Sequence, residues 1–177
     1  MVVTKQLNRL LPMNVKTLTA TILGNMPDIG KWQSDFLQEN FDLQCKIRGR
    51  HNFLNMCRYS EFNEGTFHNN YGKDFDFFEF NLLLTKAYSS AERISAFDPS
   101  YISKSGKYTP GGAYFWSGCA GGNKWALEIG GFASVDIINN TALHLIANQT
   151  LSDKEYPSLL VYYAALVNFH AKNLLKV

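Results

Sequence analysis

The sequence predicts an α+β protein in which a helical region precedes a sheet-forming region. In residues 1–90 the apolar side chains recur at helical spacing and are separated by capping and breaking residues. In residues 91–177 apolar and polar side chains alternate, as in half-buried strands, before a last segment returns to helical spacing. The order predicted for this second region is a strand, a long loop, a hairpin and a helix.

The first two helices are recognisable from their ends. Asn14 can cap a helix that ends before Gly24, because both residue types favour those positions. The apolar side of this helix would consist of Val15, Leu18 and Ile22. A second helix is expected after Gly30, and the residues expected to face inward from it are Trp32, Phe36 and Leu37.

Two short helical segments separated by a turn have the form of a helix-turn-helix unit. The segment Asn52–Ser60 is followed by a break at residues 61–63, and Glu64–Tyr71 then has helical spacing. In such a unit the second helix enters the major groove of DNA. The outward side chains able to hydrogen-bond to base edges would be Thr66, His68, Asn69 and Asn70. The alternative is a plain helical hairpin in a small core.

The formal net charge of +2 conceals an uneven distribution of charge. Residues 1–60 contain 8 basic and 4 acidic residues, whereas residues 61–92 contain 2 basic and 6 acidic residues. The basic side chains concentrate around His51 and are Lys46, Arg48, Arg50 and Arg58. Such a cluster can bind a phosphate backbone by charge attraction and counterion release. The alternative is a solvated helix face.

The second region opens with a short strand and a glycine-rich loop. The strand Arg93–Asp98 is expected to end at Asp98-Pro99-Ser100, where an Asp-Pro pair favours a turn. The stretch Lys104–Lys124 follows as a long loop. Its glycines match neither GxxxxGK[ST] nor GxGxxG, which excludes the phosphate-binding loops of those two classes.

A hairpin and a helix follow the loop. The strands Trp125–Ile138 and Thr141–Gln149 flank Asn139-Asn140, and paired asparagines tolerate the left-handed conformations that a two-residue hairpin turn demands. Within the first of these strands, Gly130-Gly131 indicates a bulge or a close approach of the backbone to another group.

The closing helix has two candidate starting points. Ser152-x-x-Glu155 is a capping-box pattern, but Pro157 would interrupt a helix that begins there, so Pro157 is the alternative start. The apolar stripe of this helix, at helical spacing, would be Leu159, Leu160, Tyr163, Val167 and Leu174.

A resemblance to a known family rests on long blocks of sequence. The block ERISAFDPSYISKSGKYTP and the following YFWSGCAGGNKWALEIGGFASVDIINNTALHL resemble the start of the catalytic domain of bacterial insertion-sequence transposases (IS-four-type). The upstream IRGRHNFLNMCRYSEFNEGTFHNNYGKDFDFFEFN is similar to their DNA-binding region. These are enzymes of the DDE type with a ribonuclease-H-like catalytic domain. The resemblance implies a mixed sheet of that kind, of which residues 91–177 would form the first half.

The family resemblance implies a catalytic and metal-binding role for Asp98, at the end of the first strand. The second Asp and the Glu of the triad would lie beyond Val177, so this chain alone is expected to be inactive and to hold no ion stably. The cofactor implied for the intact parent is Mg²⁺ or Mn²⁺. The implied partner is double-stranded DNA at the element ends, on which such enzymes act as homo-oligomers. Without the resemblance, the favoured interpretation of Asp98 is the first residue of an Asp-Pro turn.

Several other polar residues have weaker functional interpretations. Lys104 and Lys107 lie just beyond Asp98 and could touch DNA phosphates, or could be plain loop lysines. Glu128 stands between Leu127 and Ile129 and is therefore expected to point to solvent. The residues expected to have turn or surface roles are Asp136 and His144.

Composition excludes several classes of protein. The three cysteines are too few and too widely spaced for a disulfide framework or a CxxC zinc site. The longest apolar run is too short to span a bilayer. We therefore expect a cytoplasmic protein without a membrane partner.

The function expected is DNA transposition, by DNA binding and metal-dependent strand cleavage and transfer in the intact parent. The alternatives are a non-catalytic DNA-binding module and an inactive remnant.

Overall fold

A computed structural model of the chain describes residues 14–104, 106, 108–150 and 156–175. The chain divides into two compact units, Met1–Leu84 and Thr85–Val177. The division falls six residues before the boundary expected at residue 90. The secondary structure is α+β, with helices in the first unit and an antiparallel sheet in the second.

The helices of the first unit are separated by the capping and breaking residues identified in the sequence. They are α1 (Val15–Leu23), α2 (Lys31–Lys46), α3 (Phe53–Met56, extended by a 3₁₀ turn at Cys57–Tyr59), α4 (Glu64–Tyr71) and α5 (Phe77–Tyr88), the last of which crosses into the second unit. Asparagine side chains cap three of these helices by accepting a backbone N–H. The capping residues are Asn14, Asn52 and Asn63.

An aromatic cluster forms the core of the first unit. The Phe67 side chain is fully buried, 5.8 Å from the ring of Phe36 and 6.2 Å from that of Phe53, between ring centres. Burial of Phe36 and Leu37 confirms two of the three inward residues predicted for α2. The prediction was wrong for Trp32, which is 54% exposed, because it lies in the first turn of α2 at the rim of this cluster.

The second unit contains a sheet of four antiparallel strands. These are β1 (Arg93–Ser103), β2 (Ala113–Ser117), β3 (Gly122–Asp136) and β4 (Thr141–Gln149). The long strand β3 is central, because β1 pairs with residues 126–136 and β4 with residues 129–136 of it. Since these two strands share the same stretch of β3, they lie on its opposite edges. The short strand β2 pairs with residues 122–126.

Helix α6 (Leu159–Leu174) packs against one face of this sheet. The ring of Tyr163 lies 5.5 Å from that of Phe97, and the ring of His170 lies 5.2 Å from that of Phe132. Side chains alternate along a strand, and directly paired residues share a face. The side that α6 contacts, which we call the covered face, carries Phe97, Glu128, Phe132 and Asp136. The other side, which we call the open face, carries Asp98, Gly131 and His144.

The first strand and the following loop differ from the prediction. Strand β1 does not end at Asp98 but continues to Ser103, with Pro99 paired to Gly130. Proline is tolerated there because β1 is an edge strand and pairs on one side only. The interpretation of Asp98 as the first residue of a turn is therefore wrong. The stretch predicted as one loop, Lys104–Lys124, contains β2 and the start of β3.

The hairpin joins the predicted strands, but the expected two-residue turn is wrong: β3 ends at Asp136, which pairs with Thr141, so the turn has four residues, 137–140. Strand β4 has the predicted bounds, and Asn140 adopts the left-handed conformation that the turn requires, with φ of 52°. The close approach expected at Gly130-Gly131 is confirmed at Gly130: a Cβ there would lie 2.7 Å from the Phe97 ring. The bulge lies elsewhere, between Phe132 and Ala133.

Helix α6 begins later than either predicted start, and of its predicted apolar stripe Tyr163 packs on the sheet while other members are exposed. Its first residue is Leu159, and the hydroxyl of Ser158 caps it by accepting the N–H of Val161. The capping box at 152–155 lies outside the described residues. Of the predicted apolar stripe, Leu160 is 76% exposed and Val167 is 40% exposed, whereas His170 is buried. Tyr162, Tyr163 and His170 face the sheet, because their polar atoms form hydrogen bonds with residues of β3 and β4.

No helix among the described residues has both the length and the apolar character needed to cross a membrane.

Candidate functional site

Asp98 lies on the open face in the middle of β1. Its Cα is paired with that of Gly131, and its side chain is exposed. The carboxylate accepts no hydrogen bond and forms no ion pair with another described residue, in contrast to the acidic residues of the covered face. A strand holds the backbone of Asp98 rigidly, so its carboxylate projects from a fixed position.

Gly131 leaves a gap beside Asp98, and the ring of His144 borders that gap. The Cε1 atom of His144 lies 3.5 Å from the position that a Cβ would take on Gly131. His144 is exposed, as predicted, and its Cα pairs with that of Ala133. The structure therefore brings Asp98 and His144 to the two sides of one bare glycine, a relation that spacing along the sequence does not reveal.

Glu128 lies on the covered face, so the prediction that it points to solvent is wrong. Its side chain is fully buried. Its Oε1 atom accepts hydrogen bonds from the hydroxyl groups of Thr150 at 2.7 Å and Tyr163 at 2.6 Å. Burial, together with the hydrogen bond to Glu128, raises the pKa of Tyr163 well above its ordinary value. The alternation along β3 does not reveal which face is covered, because apolar residues lie on both faces of this central strand.

Asp136 has the turn role that the sequence predicts. Its carboxylate accepts hydrogen bonds from the backbone N–H and hydroxyl of Ser90 and from the backbone and side-chain N–H groups of Asn139. Burial raises the pKa of Asp136, but these hydrogen bonds outweigh burial and hold the pKa well below its ordinary value. This carboxylate ties the start of the sheet to the hairpin turn.

The three acidic residues of β1 and β3 are thus divided between the two faces of the sheet. Glu128 and Asp136 cannot share a ligand with Asp98, because the sheet separates them. Within the part of the chain that the structure describes, no three His, Cys, Asp or Glu side chains are placed to hold a metal ion together.

The predicted basic cluster of the first unit surrounds the loop between α2 and α3. Lys46 donates a hydrogen bond to Asp42 at 2.6 Å, so its charge is partly neutralised. Three arginines are exposed and form no ion pair with any described residue: Arg48, Arg50 and Arg58. The loop turns at Gly49, which has φ of 101°, a conformation that favours glycine. The structure therefore leaves the arginine charges of this cluster free for an anion.

Helix α4 presents only part of its predicted recognition surface. Asn69 is exposed and makes no hydrogen bond to a described residue through its side chain. His68 is exposed, but its ring contacts Phe53 edge-on at 4.5 Å. The Thr66 hydroxyl lies 3.2 Å from the capping Asn63.

The outward placement expected for Asn70 is wrong. Its side chain is 91% buried and donates to the backbone carbonyl of Thr66 at 2.7 Å. Asn70 lies three residues after the fully buried Phe67, so the two share the inward side of α4.

The structure describes one of the two loop lysines predicted to touch DNA phosphates. Lys104 is exposed at the end of β1, whereas Lys107 lies outside the described residues. Lys104 lies beyond the strand and six residues from Asp98, so their common site stays a prediction.

Comparison of the chain with protein-family models, with curated proteins and with solved structures finds no match.

Proposed function

We propose that this chain is the DNA-binding part and the first catalytic part of a DDE-type DNA transposition protein. The order of elements in the second unit supports the proposal. Strands β1, β3 and β4 form an antiparallel meander that is followed by α6, the order that the resemblance implies for the first half of a ribonuclease-H-like sheet. The parent protein would act on element ends as a homo-oligomer.

The observation that carries the proposal is the state of Asp98. A carboxylate that stabilises a fold accepts hydrogen bonds, as Glu128 and Asp136 do here. Asp98 is exposed, rigidly held and without such a partner among the described residues. This state suits a carboxylate that binds something from solvent.

A divalent cation fits this carboxylate. Mg²⁺ and Mn²⁺ prefer oxygen ligands and commonly take one or two carboxylates, while water and phosphate complete the shell. When bound, such ions activate the attacking oxygen and stabilise the leaving oxygen of a phosphodiester. The part played by Asp98 is to hold the cation at a fixed place on the open face.

Unit 1 would supply DNA binding through the arginines of the α2–α3 loop. Arginine binds phosphate oxygens through paired N–H groups, and release of counterions from DNA makes the binding salt-dependent. Helices α3 and α4 pack through the rings of Phe53 and Phe67, which supports their interpretation as a helix-turn-helix unit. In that unit Asn69 is the exposed candidate for a base contact, while Thr66 and His68 are held by neighbouring side chains.

The test is the salt dependence of duplex binding, measured by fluorescence anisotropy from about 50 to 200 mM salt. We expect log K to fall linearly with log salt. The double variant Arg48→Ala/Arg50→Ala should flatten the slope by about 0.9 for each phosphate that the protein no longer neutralises. The matched control is Lys124→Ala/Lys172→Ala, which removes two exposed charges elsewhere. Binding that does not change with salt, or equal effects of both double variants, would contradict the proposal.

A non-catalytic DNA-binding module is the second candidate. It is favoured for this chain alone because Asp98 is the one acidic residue found on the open face among the described strands β1, β3 and β4. We expect no Mg²⁺-dependent nicking of duplex DNA by the purified chain. Cleavage that disappears in Asp98→Ala would instead assign catalysis to the chain itself.

A further inference from the structure

We propose that His144 shares the Asp98 site and supplies an imidazole ligand to a divalent cation there, which favours Mn²⁺ over Mg²⁺. The inference rests on the proposed role of Asp98 and adds a residue, and a metal preference, that the resemblance does not imply.

Asp98 and His144 both lie on the open face beside Gly131, although Ala147 is the β4 residue paired with Gly131 and His144 lies in the next pair on that face, opposite Ala133. Asp98 on β1 pairs with Gly131 on β3, and the ring of His144 on β4 lies over Gly131, with Cε1 at 3.5 Å and Nδ1 at 3.8 Å from the place of a Cβ. The backbones of β1 and β4 are two strand spacings apart, roughly 10 Å. Across that distance both side chains can reach a common ion only because the residue between them has no side chain.

The bulge in β4 keeps the gap beside Gly131 open. If β4 continued from the Ala133–His144 pair without this shift in register, Ile146 rather than Ala147 would stand opposite Gly131 and would fill the space beside it. With the bulge, Leu145 is fully buried and the small Ala147 takes that place. Bulges often re-aim a side chain beside a functional site, and this one leaves room for the His144 ring.

Neither the Asp98 nor the His144 side chain is held by a hydrogen bond or an ion pair to another described residue. His144 is exposed and makes no hydrogen bond, ion pair or ring contact with another described residue. The buried His170, by comparison, lies 3.3 Å from the Asn148 amide and contacts the ring of Phe132. A structural histidine in this unit is thus held by partners, and His144 is not.

The metal preference follows from ligand chemistry. Imidazole suits first-row transition metals such as Fe²⁺, Cu²⁺ and Zn²⁺, and Mn²⁺ is the weakest binder of that series, whereas Mg²⁺ demands near-ideal octahedral geometry and gives up its water reluctantly. A site made of one carboxylate and one imidazole therefore discriminates against Mg²⁺.

The experiment uses the full chain with Mn²⁺ as the probe. Electron spin-echo envelope modulation detects a nitrogen atom that is directly bound to Mn²⁺. We expect this modulation in the wild type, its loss in His144→Ala, and its retention in the matched control His68→Ala. We also expect His144→Ala and Gly131→Val to weaken Mn²⁺ binding roughly ten-fold or more. Mutation of a residue that only supports a metal ligand already lowers metal affinity by about that factor. Circular dichroism checks that each variant is folded.

The outcomes separate this inference from the proposed function. Mn²⁺ binding that depends on Asp98 but shows no nitrogen modulation would overturn the role of His144 and leave that of Asp98 intact. Modulation that survives in His144→Ala would also overturn it. Mn²⁺ binding that is unchanged in Asp98→Asn would overturn the proposed metal site itself, whatever the state of the DNA-binding unit.

Discussion

Polar side chains on the two faces of the sheet differ in burial and in hydrogen bonding. On the covered face, Glu128 and Asp136 are buried and accept hydrogen bonds from hydroxyl, backbone and amide groups. On the open face, Asp98 and His144 are exposed and have no such partners among the described residues.

The difference separates structural from functional acidic residues. A buried carboxylate costs stability unless it is hydrogen-bonded, so its partners are part of the fold. An exposed carboxylate without partners contributes little to the fold. Substitutions on the covered face should therefore change stability, and those on the open face should change ligand binding alone.

The largest expected loss of stability is that of Glu128→Ala. The change leaves the hydroxyl groups of Thr150 and Tyr163 without their acceptor and opens a cavity, so we expect a loss of about 2–5 kcal/mol in the free energy of unfolding. Urea denaturation followed by circular dichroism measures it. The control Glu128→Gln keeps an acceptor oxygen and should cost less than half as much. Equal losses would show that the hydrogen bonds are unimportant.

A neighbouring pair of glycines gives the next test. A Cβ on Gly130 would lie 2.7 Å from the Phe97 ring on the covered face, whereas one on Gly131 meets only ordinary contacts on the open face. We expect Gly130→Ala to lower the free energy of unfolding by about 1–3 kcal/mol and Gly131→Ala to change it by less than about 0.5 kcal/mol. Similar values for the two variants would contradict the assignment of faces.

A pH-dependent effect is expected at Asp136. Because its pKa is depressed in the folded state, its contribution to stability is complete above the ordinary pKa and is lost as the pH falls below about 4. Asp136→Asn lacks this contribution. The difference in the free energy of unfolding between wild type and variant should therefore shrink between about pH 5 and pH 2. A difference independent of pH would contradict the depressed pKa.

The smallest effect on stability is expected on the open face. Asp98→Asn and His144→Ala remove no hydrogen bond to a described residue, so each should change the free energy of unfolding by less than about 0.5 kcal/mol. The same urea measurement tests this. A loss above about 1 kcal/mol in either variant would mean that the side chain stabilises the sheet.

Local signals in the sequence predicted much of the secondary structure. Asn14 caps α1, the bounds of α4 and β4 are those expected, and Asn140 takes the left-handed turn conformation. Each of these depends on a few neighbouring residues, which the sequence displays directly.

Tertiary contacts decided what the sequence did not show. The face of Glu128 depends on where α6 packs, because β3 carries apolar residues on both sides. Continuation of β1 through Pro99 depends on its place at the edge of the sheet. The nearness of His144 to Gly131 depends on a one-residue bulge that leaves no local signature. Asp98 was singled out only by family resemblance.

The most direct test of the account compares Mn²⁺ binding by the wild type, Asp98→Asn and Glu128→Gln, each full-length, from the free-ion signal in electron paramagnetic resonance. We expect Asp98→Asn to weaken Mn²⁺ binding roughly ten-fold or more and Glu128→Gln to leave it unchanged. Loss of binding in Glu128→Gln with retention in Asp98→Asn would place the functional carboxylate on the covered face and contradict the account.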